Sequence, residues 1–590
     1  MEHSRSLKIA GILSLAVTLV VLTCTNLHDL DHGFYLAVGR WMIGHHSLPG
    51  NEFYLPLLSD HPFASPWLLS ALIFAAVWDG VGVAGFIALK ALCYAGAFSL
   101  AAIAATRRGV PVVVACLCAA LAACAVANRL VERPGFFSAL FYGIIIAAIP
   151  PGSAPSRRLL SALIALFIVW PFLHAEWYVG LLLFACLMLT TKLSPPQKTI
   201  IIILSAVLPA IVFAVIHPAH FAPLVAPFRF VGGGGADFKI SEYSAATWSQ
   251  MPGAIPLLLL LAAMAGSLLK EKRHAESLLL MVLIGLSVKM SRAALPALLI
   301  GTPWLAQGTA WLLSRVPRAQ GVIAYVLCAA APLWAVAWIH STPYRNFGFH
   351  IDPMIDTRGV GEIFQRINGI EGTVLAEYGY TSQLLSNPAI VRQGVLMDGR
   401  QEVYSTEYFQ TTYLDCVFQR GEKQAAALER ARVAFYAEAW REAGGTDLFP
   451  ALRAQGWEII GWDNSGRVLA RPGIAAKHGL HVYRVDPANV QELQNRKREE
   501  LASALEEIRA RNAELLGENL PAAIPLCAQA ALELATGDAA GAAESLEKSR
   551  VQGGERISSY WRTKLALATV KDDFPAMRDA VREMERRGFK

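Results

Sequence analysis

The stretch Asn26-Leu27-His28-Asp29-Leu30-Asp31-His32-Gly33-Phe34-Tyr35 follows directly on an apolar run, Ile9 to Thr25. That run is about long enough to cross a bilayer. Two carboxylates just outside a bilayer are costly to keep there without a use. A carboxylate pair can deprotonate a hydroxyl or hold a divalent cation. The plain alternative is two solvated residues at a helix end. The rest of the chain decides between these readings.

Of 590 residues 54% are hydrophobic, and the mean hydropathy is +0.41. That is too apolar for a soluble enzyme of this length. Charges are sparse up to about Ile339 and dense after it. A polytopic membrane half therefore precedes a water-soluble half. Much of the net charge of +6 sits in short loops. This is a membrane-topology pattern and gives no sign of nucleic-acid binding. Seven of the nine cysteines lie in apolar spans, where they act as small hydrophobes. Cys416 and Cys527 lie in the soluble half and could pair. Arg5 and Lys8 ahead of the first run resemble a signal peptide, but no small-residue cleavage site follows at Thr25-Asn26-Leu27. The segment reads as an uncleaved anchor with its N-terminus in the cytoplasm.

Eleven apolar runs, from 8–25 to 320–339, are long enough to span or nearly so. With the N-terminus inside, eleven spans place Arg107-Arg108, Arg157-Arg158, Lys192 with Lys198, Lys270 to Arg273, and Arg315 with Arg318 in the cytoplasm. The segment 67–79 is short and reads as an interfacial or re-entrant helix. If it spans, the downstream charges disobey the rule. The scheme predicts a multispan membrane domain over 1–345 with outer loops 26–66 and 217–252. An extracytoplasmic α/β domain follows over 350–475, then a helical region over 485–590.

The same scheme gathers the unusual polar residues on the outer face. These are Asp29 and Asp31; Arg129, Glu132 and Arg133; His174 and Glu176; and Lys289 with Arg292. Positive charge there runs against the topological bias and could bind anionic phosphate. The alternative for Arg129, Glu132 and Arg133 is pairing among themselves. Residues 34–43 are amphipathic and aromatic, as in a helix lying on a bilayer surface. In the loop 217–252, His217 and His220 could ligate a metal but lack a third ligand at defined spacing. Gly232 to Gly235 suggest a flexible lid or a plain linker.

In the soluble half, 373–376, 394–397, 432–435, 457–460 and 467–470 read as short strands with helices between them. Asp398-Gly399-Arg400 reads as a turn after a strand, with a ligand role for Asp398 or Arg400 as the alternative. Residues 489–516 are strongly charged and predict a long exposed helix. Leu534-Ala535-Thr536-Gly537-Asp538 recurs loosely as Leu567-Ala568-Thr569-Val570-Lys571, a period that matches tetratricopeptide-like helix pairs. Such pairs bind a protein partner or pack on their own domain.

Asp-Leu-Asp after the first span, Tyr35 four residues beyond Asp31, Gly39-Arg40-Trp41 and Ser65-Pro66-Trp67-Leu68 together resemble the C-type membrane glycosyltransferases. That superfamily includes the protein O-mannosyltransferases (glycosyltransferase family 39) and the lipid A aminoarabinose transferases. Arg133-Pro134, Leu173-His174, Ser291-Arg292 and Asp398-Gly399-Arg400 with Tyr404 resemble a bacterial subgroup of it. The resemblance covers about residues 8–475. It implies a multispan helical bundle, a polyprenyl-phosphate sugar donor and an outer-loop Asp acting as base toward an acceptor hydroxyl. By spacing to Tyr35, Asp31 matches that Asp, with Asp29 second. The chain departs from transferases with Asp-Glu at the site, since Leu30 separates its two carboxylates.

The expected site is thus Asp31 and Asp29 as catalytic carboxylates. Arg133, Lys289 and Arg292 would hold the leaving phosphate. His174 and Glu176 would shape the acceptor side or hold a metal. The expected setting is a bacterial inner membrane with the C-terminal half in the periplasm. The competing expectation is a non-catalytic membrane scaffold with transferase architecture that recruits a protein partner through its helical repeats.

Overall fold

The structure is a computed structural model that describes residues 5–229, 253–342, 345–400, 403–440, 448–490, 497–587 and 589. The glycine run 232–235 of the second outer loop lies outside these residues. The fold is mostly helical, at 71%, with one small sheet in the C-terminal region. It divides into two compact units. The first comprises Met1–Asp29, Val38–Gly50 and Pro62–His350, and the second Leu30–Ala37, Asn51–His61 and Ile351–Lys590.

The first unit is a helical bundle. Among the described residues, four helices are long and apolar enough to cross a membrane: Arg5–Thr23, Leu68–Thr106, Pro195–Ile216 and Gln320–Ser341. Shorter apolar helices, among them Val112–Ala125, Gly135–Ala148 and Trp177–Leu189, pack between or beside them. Nearly every side chain of the alanine- and cysteine-rich helix Val112–Ala125 is buried. Small residues let helix backbones approach closely where burial in lipid offers no hydrophobic drive. Within Leu68–Thr106 the segment 67–79 and the run that follows it form two helices that meet at a kink at Gly82, whose φ of 77° suits glycine.

Helix His32–His45 forms where an amphipathic surface helix is expected, but Phe34 to Val38 are all buried, as is Met42. Trp41 is half-buried and Ile43 exposed on the same helix.

In the second unit, β1 (Thr373–Ala376) pairs in parallel with β2 (Val433–Ala439). β3 (Glu458–Trp462) and β4 (Gly466–Ala470) form a hairpin whose β4 runs antiparallel to β2, giving the order β1-β2-β4-β3. All of β1 and β4 is buried; β4 carries Arg467, whose charge is paired with Glu438 and Asp486. Residues 394–397 form no strand; Val395 makes a single bridge to Val374. Cys416 and Cys527 are both free thiols.

The C-terminal helices are Arg498–Gly517, Ala523–Ala535, Ala539–Val551, Ser558–Val570 and Phe574–Arg587. The charged helix Arg498–Gly517 is not exposed all round. Leu501, Leu505, Ile508, Asn512 and Leu515 recur at helical spacing and bury one face.

Candidate functional site

The segment after the first helix is fixed by backbone pairing within the first unit. Asn26 N donates to Asn346 O (2.8 Å), Leu27 N to His350 O (2.9 Å), and Gly348 N to Cys24 O (3.0 Å). Lys90, from the middle of Leu68–Thr106, adds a buried tether: its Nζ donates to Thr25 Oγ1 at 3.0 Å and pairs with Glu132. Both Lys90 and Glu132 are fully buried. Burial alone would push the Glu132 carboxyl up, but the Lys90 ammonium beside it holds it down at about 2. His28 Nδ1 stands 3.5 Å from the same carboxylate. These contacts deliver Asp29, buried, to Arg133, whose Nε donates to Asp29 Oδ2 at 2.8 Å.

Arg129, Glu132 and Arg133 therefore do not pair among themselves. Glu132 is taken by Lys90, Arg133 by Asp29, and Arg129 donates to the Ser291 hydroxyl. The spread follows from position: the three leave one short connection between Val112–Ala125 and Gly135–Ala148, toward different helices.

A second group surrounds Glu176. Arg292 Nη2 lies 3.6 Å from Glu176 Oε1, and His174 Nδ1 lies 3.9 Å from Oε2. The Tyr142 hydroxyl donates to Glu176 Oε2 at 3.3 Å. His174 ends helix Arg157–Leu173, and its Nδ1 meets Ser138 Oγ at 2.9 Å. Ser138 in turn accepts the Trp170 indole N–H at 2.8 Å. Burial pushes the imidazole down to about 4, against the pull of Glu176, so His174 is neutral at pH 7. It can exchange hydrogen bonds there but cannot serve as a standing cation.

The two groups are neighbours: a Cβ built on Gly135, two residues beyond Arg133, would lie 3.6 Å from His174 Cε1. The first unit thus brings together Asp29, Arg133, His174, Glu176 and Arg292. The side chains of Arg133 and Arg292 stay about one-third exposed (33% and 31%), so both cations reach solvent. Lys289 sits exposed at the end of helix His274–Lys289, and the ion pair to Glu176 is made by Arg292. Lys90, Ser138 and Tyr142 were not among the expected residues. Of these only Lys90 carries a sequence signal, as a lone charge in an apolar run.

Asp31 belongs to the second unit, where it is half-buried. Its neighbour there is the turn Asp398-Gly399-Arg400. A Cβ built on Gly399 would lie 3.1 Å from Asp31 Oδ1. The flanking charges are buried. Arg400 Nε donates to Asp398 Oδ2 (2.7 Å), and Arg400 Nη2 to Glu52 Oε2 (2.8 Å). The hydroxyls of Tyr54 and Tyr404 each donate to Asp398 at 2.8 Å. Burial would lower the Arg400 pKa, but Asp398 and Glu52 push it well above its ordinary value.

Among the described residues no group of three His, Cys, Asp or Glu could hold a metal ion. His217 and His220 are each engaged with backbone. His217 Nε2 meets Ser65 O at 3.0 Å, and His220 Nδ1 meets Ala214 O at 2.9 Å.

This architecture is the fold of the C-type membrane glycosyltransferases. The chain is similar to the oligosaccharyltransferase AglB of Archaeoglobus fulgidus, solved in complex with an inhibitory peptide and a dolichol-phosphate. The TM-score is 0.53 at 11% identity, covering 80% of this chain and 75% of that one. It also aligns with ArnT from Cupriavidus metallidurans in the apo state (TM-score 0.45, 14% identity, 78% and 97% covered). The undecaprenyl phosphate-bound form of ArnT aligns with TM-score 0.43 and 12% identity, covering 79% and 98%. No family model and no curated protein matches the sequence.

Proposed function

We propose that the protein is a membrane glycosyltransferase that moves a sugar from a polyprenyl-phosphate donor to an envelope acceptor on the extracytoplasmic side. The observation that carries this reading is the clustering of Asp29, Glu176, His174, Arg133 and Arg292 in a fold shared with a lipid-linked oligosaccharide transferase. In the reaction, an acceptor hydroxyl gives its proton to a carboxylate as its oxygen bonds the sugar C1. The bond from C1 to the phosphate oxygen breaks, and the polyprenyl phosphate leaves with the electron pair. Asp31 is the base of choice. Asp29, held by Arg133, is the second choice and orients that cation. Arg133 and Arg292 stabilise the leaving phosphate by charge-assisted hydrogen bonds, with Lys289 as an outer cation. His174 and Glu176 shape the acceptor side.

Eleven spans with a cytoplasmic N-terminus, in a bacterial inner membrane, would put the C-terminal half in the periplasm. The helix pairs Ala523–Ala535 with Ala539–Val551 and Ser558–Val570 with Phe574–Arg587 each pack together. Read as tetratricopeptide-like repeats, they favour a protein partner and keep the scaffold reading alive. The test compares glycolipids and envelope glycans of cells with and without the protein. Transfer predicts that one glycan is lost and a polyprenyl-phosphate sugar accumulates. Unchanged profiles in both fractions refute it.

A further inference from the structure

Two glycines seat Asp31 in the second unit. A Cβ on Gly33 would fall 2.1 Å from Ser382 O, 2.7 Å from Ser386 N and 2.8 Å from Gln383 O. The start of helix His32–His45 therefore lies directly on the backbone of 382–386. On the other side, a Cβ on Gly399 would meet Ser382 Oγ at 2.7 Å and Asp31 Oδ1 at 3.1 Å. The φ of Gly399 is not in the left-handed region, so an L side chain could adopt its backbone conformation. A side chain there would have to push aside Ser382 Oγ and crowd Asp31 Oδ1. The Gly399 amide donates to Ser382 Oγ at 2.8 Å, which closes the turn onto the same serine.

The turn itself is held unusually firmly. Arg400, Asp398, Glu52 and Tyr54 are all buried, and one guanidinium bridges two carboxylates. A buried charge cluster of this kind is a weak source of net stability and fixes one arrangement against others. Here the fixed arrangement is the backbone that faces Asp31.

We propose that the Asp398-Gly399-Arg400 turn, clamped by Glu52, Tyr54 and Tyr404, is a positioning device for the Asp31 carboxylate in sugar transfer. The proposal rests on the transferase reading above. Arg400 and Asp398 touch no substrate in this scheme. They act through Gly399 and Ser382, which set where the base can stand. A displacement of about 1 Å at a reacting group costs on the order of 100-fold in rate, so small crowding at Gly399 reads out as lost turnover.

The experiment uses membranes containing the full chain, incubated with the lipid and envelope extract of cells lacking it. Glycosylated product is followed by mass spectrometry. Gly399→Ala is expected to lower the maximal rate roughly 10- to 100-fold, with the half-saturating extract concentration and the protein level unchanged. Ser382→Gly added to Gly399→Ala removes the 2.7 Å clash and is expected to recover much of that rate. A purely structural turn predicts the opposite, because the double variant also loses the Ser382 bond, and a double variant worse than Gly399→Ala overturns the proposal. Wild-type turnover in Gly399→Ala, with Asp31→Asn inactive, overturns the positioning role alone and leaves the transferase reading intact. No product from the intact protein, or full activity in Asp31→Asn, removes the underlying reading and the proposal with it. If Gly399→Ala does not accumulate, Tyr404→Phe loosens the turn without added bulk. It should show the same loss of maximal rate, and unchanged turnover there is contrary.

Discussion

Arg400→Met removes the one cation from a site that holds two carboxylates. In the native chain the guanidinium donates to Glu52 Oε2 at 2.8 Å, to Glu52 Oε1 at 3.3 Å and to Asp398 Oδ2 at 2.7 Å, and all three side chains are fully buried. Methionine fills similar space but removes the guanidinium that bridges the buried Glu52 and Asp398 carboxylates. Removing one partner of a buried ion pair costs about 3–5 kcal/mol. For a unit of this size that corresponds to a fall of roughly 6–20 °C in unfolding temperature. Thermal unfolding of the purified protein in detergent, followed by tryptophan fluorescence, measures it. Adding Glu52→Gln to Arg400→Met removes one stranded charge and should be less destabilised than Arg400→Met alone, because Asp398 keeps its two tyrosine hydroxyls. A fall of less than about 2 °C for Arg400→Met, or a double variant less stable than Arg400→Met alone, refutes the reasoning.

Three further outcomes follow from the first unit. Glu132 is held at about 2 against an ordinary value of 4.5. Its stabilising contribution is complete above pH 4.5 and is lost as pH falls toward 2. Glu132→Gln should flatten the unfolding temperature over that window, and an unchanged acid limb is contrary. Ser138→Ala strands the Trp170 indole N–H and should cost about 1–3 kcal/mol in the same assay, against no change if the pair is dispensable. If the protein takes a polyprenyl-phosphate donor as proposed, Arg133→Gln with Arg292→Gln should weaken binding of an added polyprenyl phosphate, read by native mass spectrometry, by at least about 10-fold. Equal binding contradicts their role as phosphate cations.

The separation of an apolar half from a charged half is visible in composition, because lipid and water impose different alphabets on a chain. Four of the five expected strand positions carry strands, since their short apolar, β-branched cores are what a buried sheet selects. The fifth, 394–397, meets β1 in a single bridge at Val374, whose backbone hydrogen bonds are to Gly394 and Leu396, a tertiary fact that local pattern does not hold. The burial of His32–His45 is invisible for the same reason: an aromatic stripe looks alike whether lipid or protein covers it. Polar residues at span ends stand out individually against their apolar surroundings. Their partners do not. Lys90 meets Glu132 across 42 residues, and Arg133 meets Asp29 across 104. Ser138 carries no signal at all, because a serine in an apolar helix is commonplace until its neighbours are known; Asp398-Gly399-Arg400 is visible as a turn, but its proximity to Asp31 is not.

The central claim is that a carboxylate beyond the first span performs sugar transfer. The direct measurement is complementation of cells lacking the protein with Asp31→Asn and Asp29→Asn at matched protein levels, reading the glycan that the loss removes and the pool of polyprenyl-phosphate sugar. The account predicts that Asp31→Asn leaves the glycan missing and the donor accumulated, as in the cells lacking the protein. Full restoration by both variants would contradict it and make the protein a scaffold whose work is done by its C-terminal helices.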